Sequence, residues 1–385
     1  MSPEQLQMLL GLLMLGSSAM LISLLAVLGM RHLAPRFGFV DQPGHRKIHA
    51  NPKPLGGGVG IYLGFALPLL VGVIVVNAWP PSFAIDPAYW SGAQQQTPLA
   101  VGVLIAMTAL HLMGLVDDRR AMGPWIKLLI QLAAAAGLVI TMEWLAQDTP
   151  SLRLRALTAL GTVPSIILTV LWIVAVTNAF NFLDNMDGLS AGVAAVCTTA
   201  FLITAVSIEQ WFVAALLALL LGALLGFLCF NFPPASIFMG DAGSLVVGFI
   251  LGVLTIRTTF LPPSTSFAGG WYVVFAPLLV LAIPMYDLVV VSLIRVRRGK
   301  SPFVGDTNHF SHRLVARGMS RRTAVLCIYL ITAATSIAAI LLPQTQTSFG
   351  AFLIFVQTLL IVGVVALLEQ HPINEQAPVK RNPEH

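Results

Sequence analysis

Five aspartates hold most of the chemistry available to this sequence. Asp117 and Asp118 stand side by side in "LMGLVDDRRAMG". Asp184 and Asp187 share "NAFNFLDNMDG" with Asn178 and Asn181, so that four polar groups recur every third residue. Asp241 stands in "FMGDAGS", between Gly240 and Gly243. Carboxylate and amide oxygens are hard ligands of the kind Mg²⁺ prefers, a few at a time, beside waters and substrate phosphates. Adjacent acids raise the local negative potential, which suits a divalent cation or a substrate that must lose a proton. A solvated helix end paired with Arg119 and Arg120 explains Asp117 and Asp118 equally well. On a helix, Asn178, Asn181, Asp184 and Asp187 form a slowly winding stripe. Polar groups in an apolar segment face an interior cavity rather than lipid. Capping accounts for one or two of these groups, but not for four at regular spacing.

Two other stretches offer positive charge. "RKIHANPKPLGGGVG" (46–60) is basic and then glycine-rich, without the G-K-[ST] ending of a phosphate-binding P-loop. "GDTNHFSHRL" (305–314) places His309 and His312 among arginines. Histidines in so cationic a loop suit phosphate better than metal. The glycines beside Asp241, just ahead of an apolar run, leave backbone N–H groups open to an anion, although a capping aspartate would look much the same.

The elements that must position these groups are membrane helices. Of the 385 residues 57% are hydrophobic and 10% charged, against about 25% charged in soluble domains. Apolar runs of about 20 residues, long enough to cross a bilayer, recur along the chain and exclude the shorter alternating strands of a barrel. "MSPEQLQ" lacks a basic signal-peptide start, so the first run is retained as a helix. Cys197, Cys229 and Cys327 lie scattered in apolar runs and form neither a disulfide framework nor a metal cluster. The expectation is an all-α polytopic protein with eleven spans near 6–30, 59–78, 98–116, 124–143, 162–180, 188–207, 211–230, 242–260, 271–294, 323–342 and 349–368. They form one domain over 1–370, followed by a disordered tail, 371–385.

Eighteen of the 21 Lys and Arg residues fall on one side of that arrangement, in loops with both termini of the odd-numbered bundle accounted for. The positive-inside rule makes that side cytoplasmic, which puts the N-terminus outside and the C-terminus inside. All five aspartates, His309 and His312 then share the cytoplasmic face. Acids for a hard metal, basic loops for phosphate and a lipid-immersed body imply phosphoryl chemistry between a soluble, nucleotide-like donor and a lipid acceptor. The net charge of +5 follows from topology and requires no nucleic acid.

The same segments, "RKIHANPKPLGGG", "LVDDRR", "NAFNFLDNMDGLSAG", "FMGDAGS" and "HFSHRL", resemble in order those of the polyprenyl-phosphate N-acetylhexosamine-1-phosphate transferase family, and its WecA/TagO branch in particular. The resemblance implies Mg²⁺-dependent transfer of a sugar 1-phosphate from a UDP-sugar to undecaprenyl phosphate in the bacterial inner membrane, with release of UMP. Mn²⁺ is the expected substitute metal, N-acetylglucosamine the expected sugar and a homodimer the assembly to test. It implies catalytic roles for Asp117 and Asp118, one as a base on the lipid phosphate, and metal ligation by Asp241 with Asp184. It places Asn178, Asn181 and Asp187 at the nucleotide, Lys47 or its neighbour Arg46 near the donor, and His309, His312 and Arg313 at the diphosphate. Asp117 as metal ligand or as orienter of the acceptor remains open. Two positions depart from the family pattern: Asn185 replaces a glycine, and Ser311 replaces a histidine. Asp287, deep in "IPMYDLVVV", reads as structural and satisfied by a neighbouring helix. Other readings are transfer of phospho-MurNAc-pentapeptide, an ion-coupled transporter, whose sites lie near the bilayer midplane, and an intramembrane aspartyl protease, whose Y-D and G-x-G-D order is reversed here.

Overall fold

A computed structural model of the chain describes residues 2–41, 52–79, 87–258, 271–301, 308–342, 345 and 347–370. Lys47 and Arg46, and the tail from 371, lie outside the described residues. Fourteen α-helices are present among those described. In chain order they are α1 (Pro3–Leu33), α2 (Gly57–Ala78), α3 (Pro87–Gln95), α4 (Thr97–Arg119), α5 (Pro124–Leu145), α6 (Thr162–Leu183) and α7 (Leu189–Ser207). There follow α8 (Trp211–Asn231), α9 (Asp241–Arg257), α10 (Ala276–Val280), α11 (Ala282–Arg297), α12 (Phe310–Ala316), α13 (Arg321–Leu341) and α14 (Ser348–Gln370). A two-residue antiparallel pair, β1 (Val40–Asp41) with β2 (Lys53–Pro54), is the only sheet among them.

Nine of these helices are long and apolar enough to cross a membrane. Their outer faces carry bare side chains such as Met14, Ile105, Leu330 and Leu359, as a lipid-facing surface requires. The chain is a multi-pass membrane protein. The eighth and ninth expected spans correspond to α9, of 17 residues, and to the α10–α11 pair, which breaks at Leu281. The break has a local cause. Pro284 has no N–H to return to the carbonyl of Val280, and that carbonyl instead accepts from Cys197 Sγ at 3.4 Å.

Helix α9 is the axis of the site. Every residue from Ala242 to Thr255 is buried, and small residues let three neighbours approach its backbone. A Cβ on Gly58 of α2 would sit 2.3 Å from Gly243 N, and one on Gly114 of α4 would sit 2.4 Å from Ala242 Cα. One on Gly248 of α9 itself would sit 2.6 Å from Thr177 Cα of α6. Close backbone approach of this kind is how membrane helices associate where no hydrophobic difference drives them together. The same logic joins α1 to α8, where Gly222 meets Gly16 O and Ser23 Oγ donates to Ala223 O at 2.7 Å. Helix polarity alternates through the bundle. The C-terminal ends of α4 and α6 therefore lie beside the N-terminal ends of α5 and α9.

Candidate active site

Three helices and a loop deliver their polar residues to that end of α9. Asp117, in the last turn of α4, accepts from Met122 N–H at 2.6 Å and from Lys127 Nζ at 3.1 Å. Lys127 opens α5 and also reaches Asp241 Oδ2 at 2.8 Å. The other oxygen of Asp241 accepts from Asn181 Nδ2 at 2.9 Å, and Asn181 donates as well to Ser244 Oγ at 2.9 Å. One ammonium thus bridges carboxylates from two helices, and a third helix aligns one of them. Lys127 was not among the candidates from sequence. Its signal was a lone cation at the start of "KLLIQLAAAAG", where an unpaired charge beside so apolar a run is unfavourable.

Asp118 is placed differently from its neighbour. Its oxygens accept from the backbone N–H groups of Asp241 (2.8 Å) and Ala242 (3.2 Å), so α4 caps the N-terminus of α9 across the interface. Gly240 makes this possible: its φ is +73°, and a Cβ there would fall 2.4 Å from Asp118 Oδ2. Four backbone N–H groups of the glycine-rich stretches are engaged within the protein. Gly57 and Gly58 donate to Phe238 O and Met239 O, while Gly243 and Ser244 donate to Gly240 O. The expectation of a backbone phosphate cradle at these glycines is corrected accordingly. They serve close packing.

The regular stripe also ends earlier than a continuous helix implies. Helix α6 stops at Leu183, Asp184 is its C-cap residue, and Gly188, at φ +73°, turns the chain into α7. Asn178, one turn deeper, donates to Gln131 Oε1 at 2.6 Å and to Val174 O at 2.8 Å. Asp184 keeps some accessible surface although protein surrounds it on most sides. Burial, reinforced by the carboxylates of Asp241 and Asp118, pushes its pKa up to about 8. Asp187 accepts from Ala235 N–H at 2.8 Å, and Ala235 O accepts from Lys53 Nζ. The turn after α6, the loop before α9 and β2 are thereby tied together.

The histidine helix α12 docks beside this cluster. Asp287 of α11 is fully buried; its oxygens accept from His309 Nδ1 at 2.8 Å and from Phe310 N–H at 2.7 Å. A neighbouring element satisfies it, as expected, and that element is the one bearing the histidines. Arg295 lies 3.4 Å from His309 Nε2, with its guanidinium over the Phe182 ring at 4.8 Å. With both ring nitrogens engaged, His309 holds the start of α12 in place, and His312 and Arg313 are less buried. Ser311 Oγ donates to Asn185 Oδ1 at 2.6 Å, and Asn185 Nδ2 donates to Phe182 O at 2.6 Å. The two residues that depart from the family pattern are therefore in direct contact, and they join α12 to the turn that carries Asp184.

Among the described residues no three His, Cys, Asp or Glu side chains converge as a ready-made metal cage. Mg²⁺ does not require one, since it is commonly held by one or two carboxylates plus waters and substrate phosphates. Oxygen-only donors at Asp241 and Asp184, with Asp118 close by and a lysine drawn between two carboxylates, fit such an ion.

The fold and this cluster define a multi-pass membrane enzyme whose acidic site sits at one end of the bundle. The chain belongs to glycosyl transferase family 4, whose pattern matches residues 100–259. It is 32% identical over 345 residues to the "Probable undecaprenyl-phosphate N-acetylglucosaminyl 1-phosphate transferase" of Bacillus subtilis, covering 88% of each chain. It is 33% identical over 386 residues to the decaprenyl-phosphate N-acetylglucosaminephosphotransferase of Mycolicibacterium smegmatis, covering 95% of this chain and 91% of that one. With the undecaprenyl-phosphate alpha-N-acetylglucosaminyl 1-phosphate transferase of Escherichia coli it shares 28% identity over 327 residues, 82% of this chain and 80% of the relative.

Proposed function

We propose that this protein transfers N-acetylglucosamine 1-phosphate from a UDP-sugar to a polyprenyl phosphate at the cytoplasmic face of the bacterial inner membrane. The observation that carries the reading is the Asp117–Lys127–Asp241–Asn181 chain, which gathers opposite charges from α4, α5 and α9, aligned by an amide of α6, at a single end of the bundle. Relatives named for this activity match nearly the whole chain. An ion-coupled transporter finds no such support, and its midplane site contrasts with acids at a helix end.

In this reading an oxygen of the lipid phosphate attacks the β-phosphorus of the donor. The new P–O–P bond forms as the bond from that phosphorus to the bridging oxygen breaks, and UMP leaves with the bridging oxygen. A phosphate monoester has a second pKa of about 6, so the nucleophile is already mostly ionised and a base contributes little. Catalysis is then positioning and charge stabilisation. Asp241 and Asp184 would hold Mg²⁺, which when bound neutralises diphosphate charge. Lys127 fixes both Asp241 and Asp117, the latter beside the acceptor. Asp118 acts by anchoring the start of α9, a positioning role in place of the paired catalytic one. Asn181 aims Asp241, Asn178 ties α6 to α5, and Asp187 braces the turn that flanks the nucleotide. His312 and Arg313 meet the donor diphosphate, for which a guanidinium offers a two-pronged contact that lysine does not. His309 orients them. Lys47 is assigned to the donor from the sequence alone.

The test is UMP release from purified protein given undecaprenyl phosphate and a panel of UDP-sugars. UDP-N-acetylglucosamine should be the preferred donor, with activity abolished by EDTA and restored by Mg²⁺ or Mn²⁺. Preference for a UDP-MurNAc-pentapeptide donor would instead select the alternative transfer.

A further inference from the structure

At the end of the bundle opposite the acids lies a second feature that the transferase reading does not use. A cavity of about 510 Å³ opens between α1, α2, α4 and α8, with α3 beside it. Leu69, Val73 and Leu216 line it, together with Trp90, Trp211 and Arg257. Arg257 is the last residue of α9, sixteen positions from Asp241, so at 1.5 Å per residue the cavity lies about 24 Å from the acid cluster along that helix.

The polar residues of this cavity are incompletely satisfied. Trp90 Nε1, Trp211 Nε1 and Arg257 Nε are all buried, and none has a hydrogen-bond partner among the described residues. Buried donors are paired in more than nine cases in ten, so three around one cavity indicate a missing acceptor. The charge of Arg257 is also unmatched among the described residues. Its terminal nitrogens donate to Ser151 O (2.9 Å), Arg153 O (3.2 Å) and Gln96 Oε1 (3.0 Å), all of them neutral. The C-terminal dipole of α9 offsets part of this charge, but it supplies no acceptor for Nε or for the indoles. A partly buried cation without an anion is unfavourable. Tryptophans at a membrane interface ordinarily turn their N–H groups to headgroups or water, yet here the rings are partly exposed while both N–H groups are buried.

We propose that the cavity is a binding site for one anionic glycerophospholipid of the leaflet opposite the active site. Its phosphate accepts from Arg257 and the two indoles, and one acyl chain lies along Leu69, Val73 and Leu216. The pairing answers both properties of the site at once, since a free anion leaves the apolar walls uncovered and a hydrocarbon leaves three donors and a charge unpaired.

The experiment compares wild type with Trp90→Phe/Trp211→Phe, which keeps an aromatic ring at both positions and deletes the indole donors. Each protein is delipidated in detergent and titrated with phosphatidylglycerol, with bound lipid counted by native mass spectrometry and thermal stability followed alongside. Wild type should retain one phosphatidylglycerol per chain and gain several degrees. The double variant should need at least tenfold more lipid for the same gain, while turnover at the acid cluster is unchanged. Equal retention by both proteins overturns the proposal. So does an equal gain from inorganic phosphate alone or from a phosphate-free alkyl glycoside. Preferential binding of undecaprenyl phosphate at this cavity would assign it to the acceptor lipid and overturn the assignment to a bilayer phospholipid.

Discussion

Asp241 concentrates the electrostatics of the site, because Lys127, Asn181 and the Asp118 anchor all converge on it. Asp241→Asn keeps the volume and removes the charge. It should lower kcat on the order of 100-fold or more, the scale for losing one preorganised charge-stabilising group, while insertion and melting temperature stay near wild type. Turnover within a few-fold of wild type would remove Asp241 from the metal site. Asp184 gives the pH dependence. Its folded-state pKa of about 8 exceeds the ordinary 3.8, so the folded protein retains a proton that the unfolded chain releases. The associated stability is complete below about pH 4 and is lost as pH rises toward and through 8. Melting temperature in EDTA should therefore fall between pH 6 and 9, and Mg²⁺ should reverse the fall by replacing the proton. A flat profile for Asp184→Asn under the same conditions would assign the effect to this residue. A profile unchanged from wild type would assign it elsewhere. At the histidine helix, Asp287→Asn places an amide where His309 requires an acceptor. The expected loss in kcat/KM is roughly 10- to 100-fold, as for other groups that orient a site residue. Ser311→Ala should be milder. If the Asn185–Ser311 contact couples the two segments, Asn185→Gly with Ser311→Ala should cost no more than the larger single change, as double-mutant cycles in direct contacts show.

At the scale of elements, the packing of α9 makes its own prediction. Gly114 meets the backbone at Ala242, so Gly114→Val should displace the start of α9 and destabilise by about 1–3 kcal/mol, as overpacking does. Activity should fall further than stability, because the displaced residue is Asp241's neighbour. Thermal melting and UMP release on the same preparation separate the two effects. Most of the elements were legible in the sequence, because runs of about 20 apolar residues bounded by Arg, Pro and Gly leave little freedom. Nine of the eleven expected spans answer to single long helices. The ninth is broken, and the missing N–H of Pro284 that breaks it was visible but outweighed by its hydrophobic surroundings. The division of labour among the acids was not legible. Nothing in "VDDRR" distinguishes Asp117, which pairs with Lys127, from Asp118, which caps α9, since only the approach of α4 to α9 separates them. The same holds for "PLGGG" and "GDAGS": glycine serves a phosphate or a close backbone, and the choice depends on which helix arrives.

In the whole molecule, one end of a helical bundle gathers acids and cations. Reporter fusions should read cytoplasmic after Lys380 and external near Asp86, because the reverse would separate the cluster from the nucleotide pool. The direct measurement is UMP release by purified protein in detergent with undecaprenyl phosphate, UDP-N-acetylglucosamine and Mg²⁺. The prediction is one UMP formed for each lipid converted to a diphosphate-linked sugar, with none formed when the lipid phosphate is omitted. Folded protein that releases no UMP with any UDP-sugar and polyprenyl phosphate, or that releases it without consuming the lipid, would contradict the account.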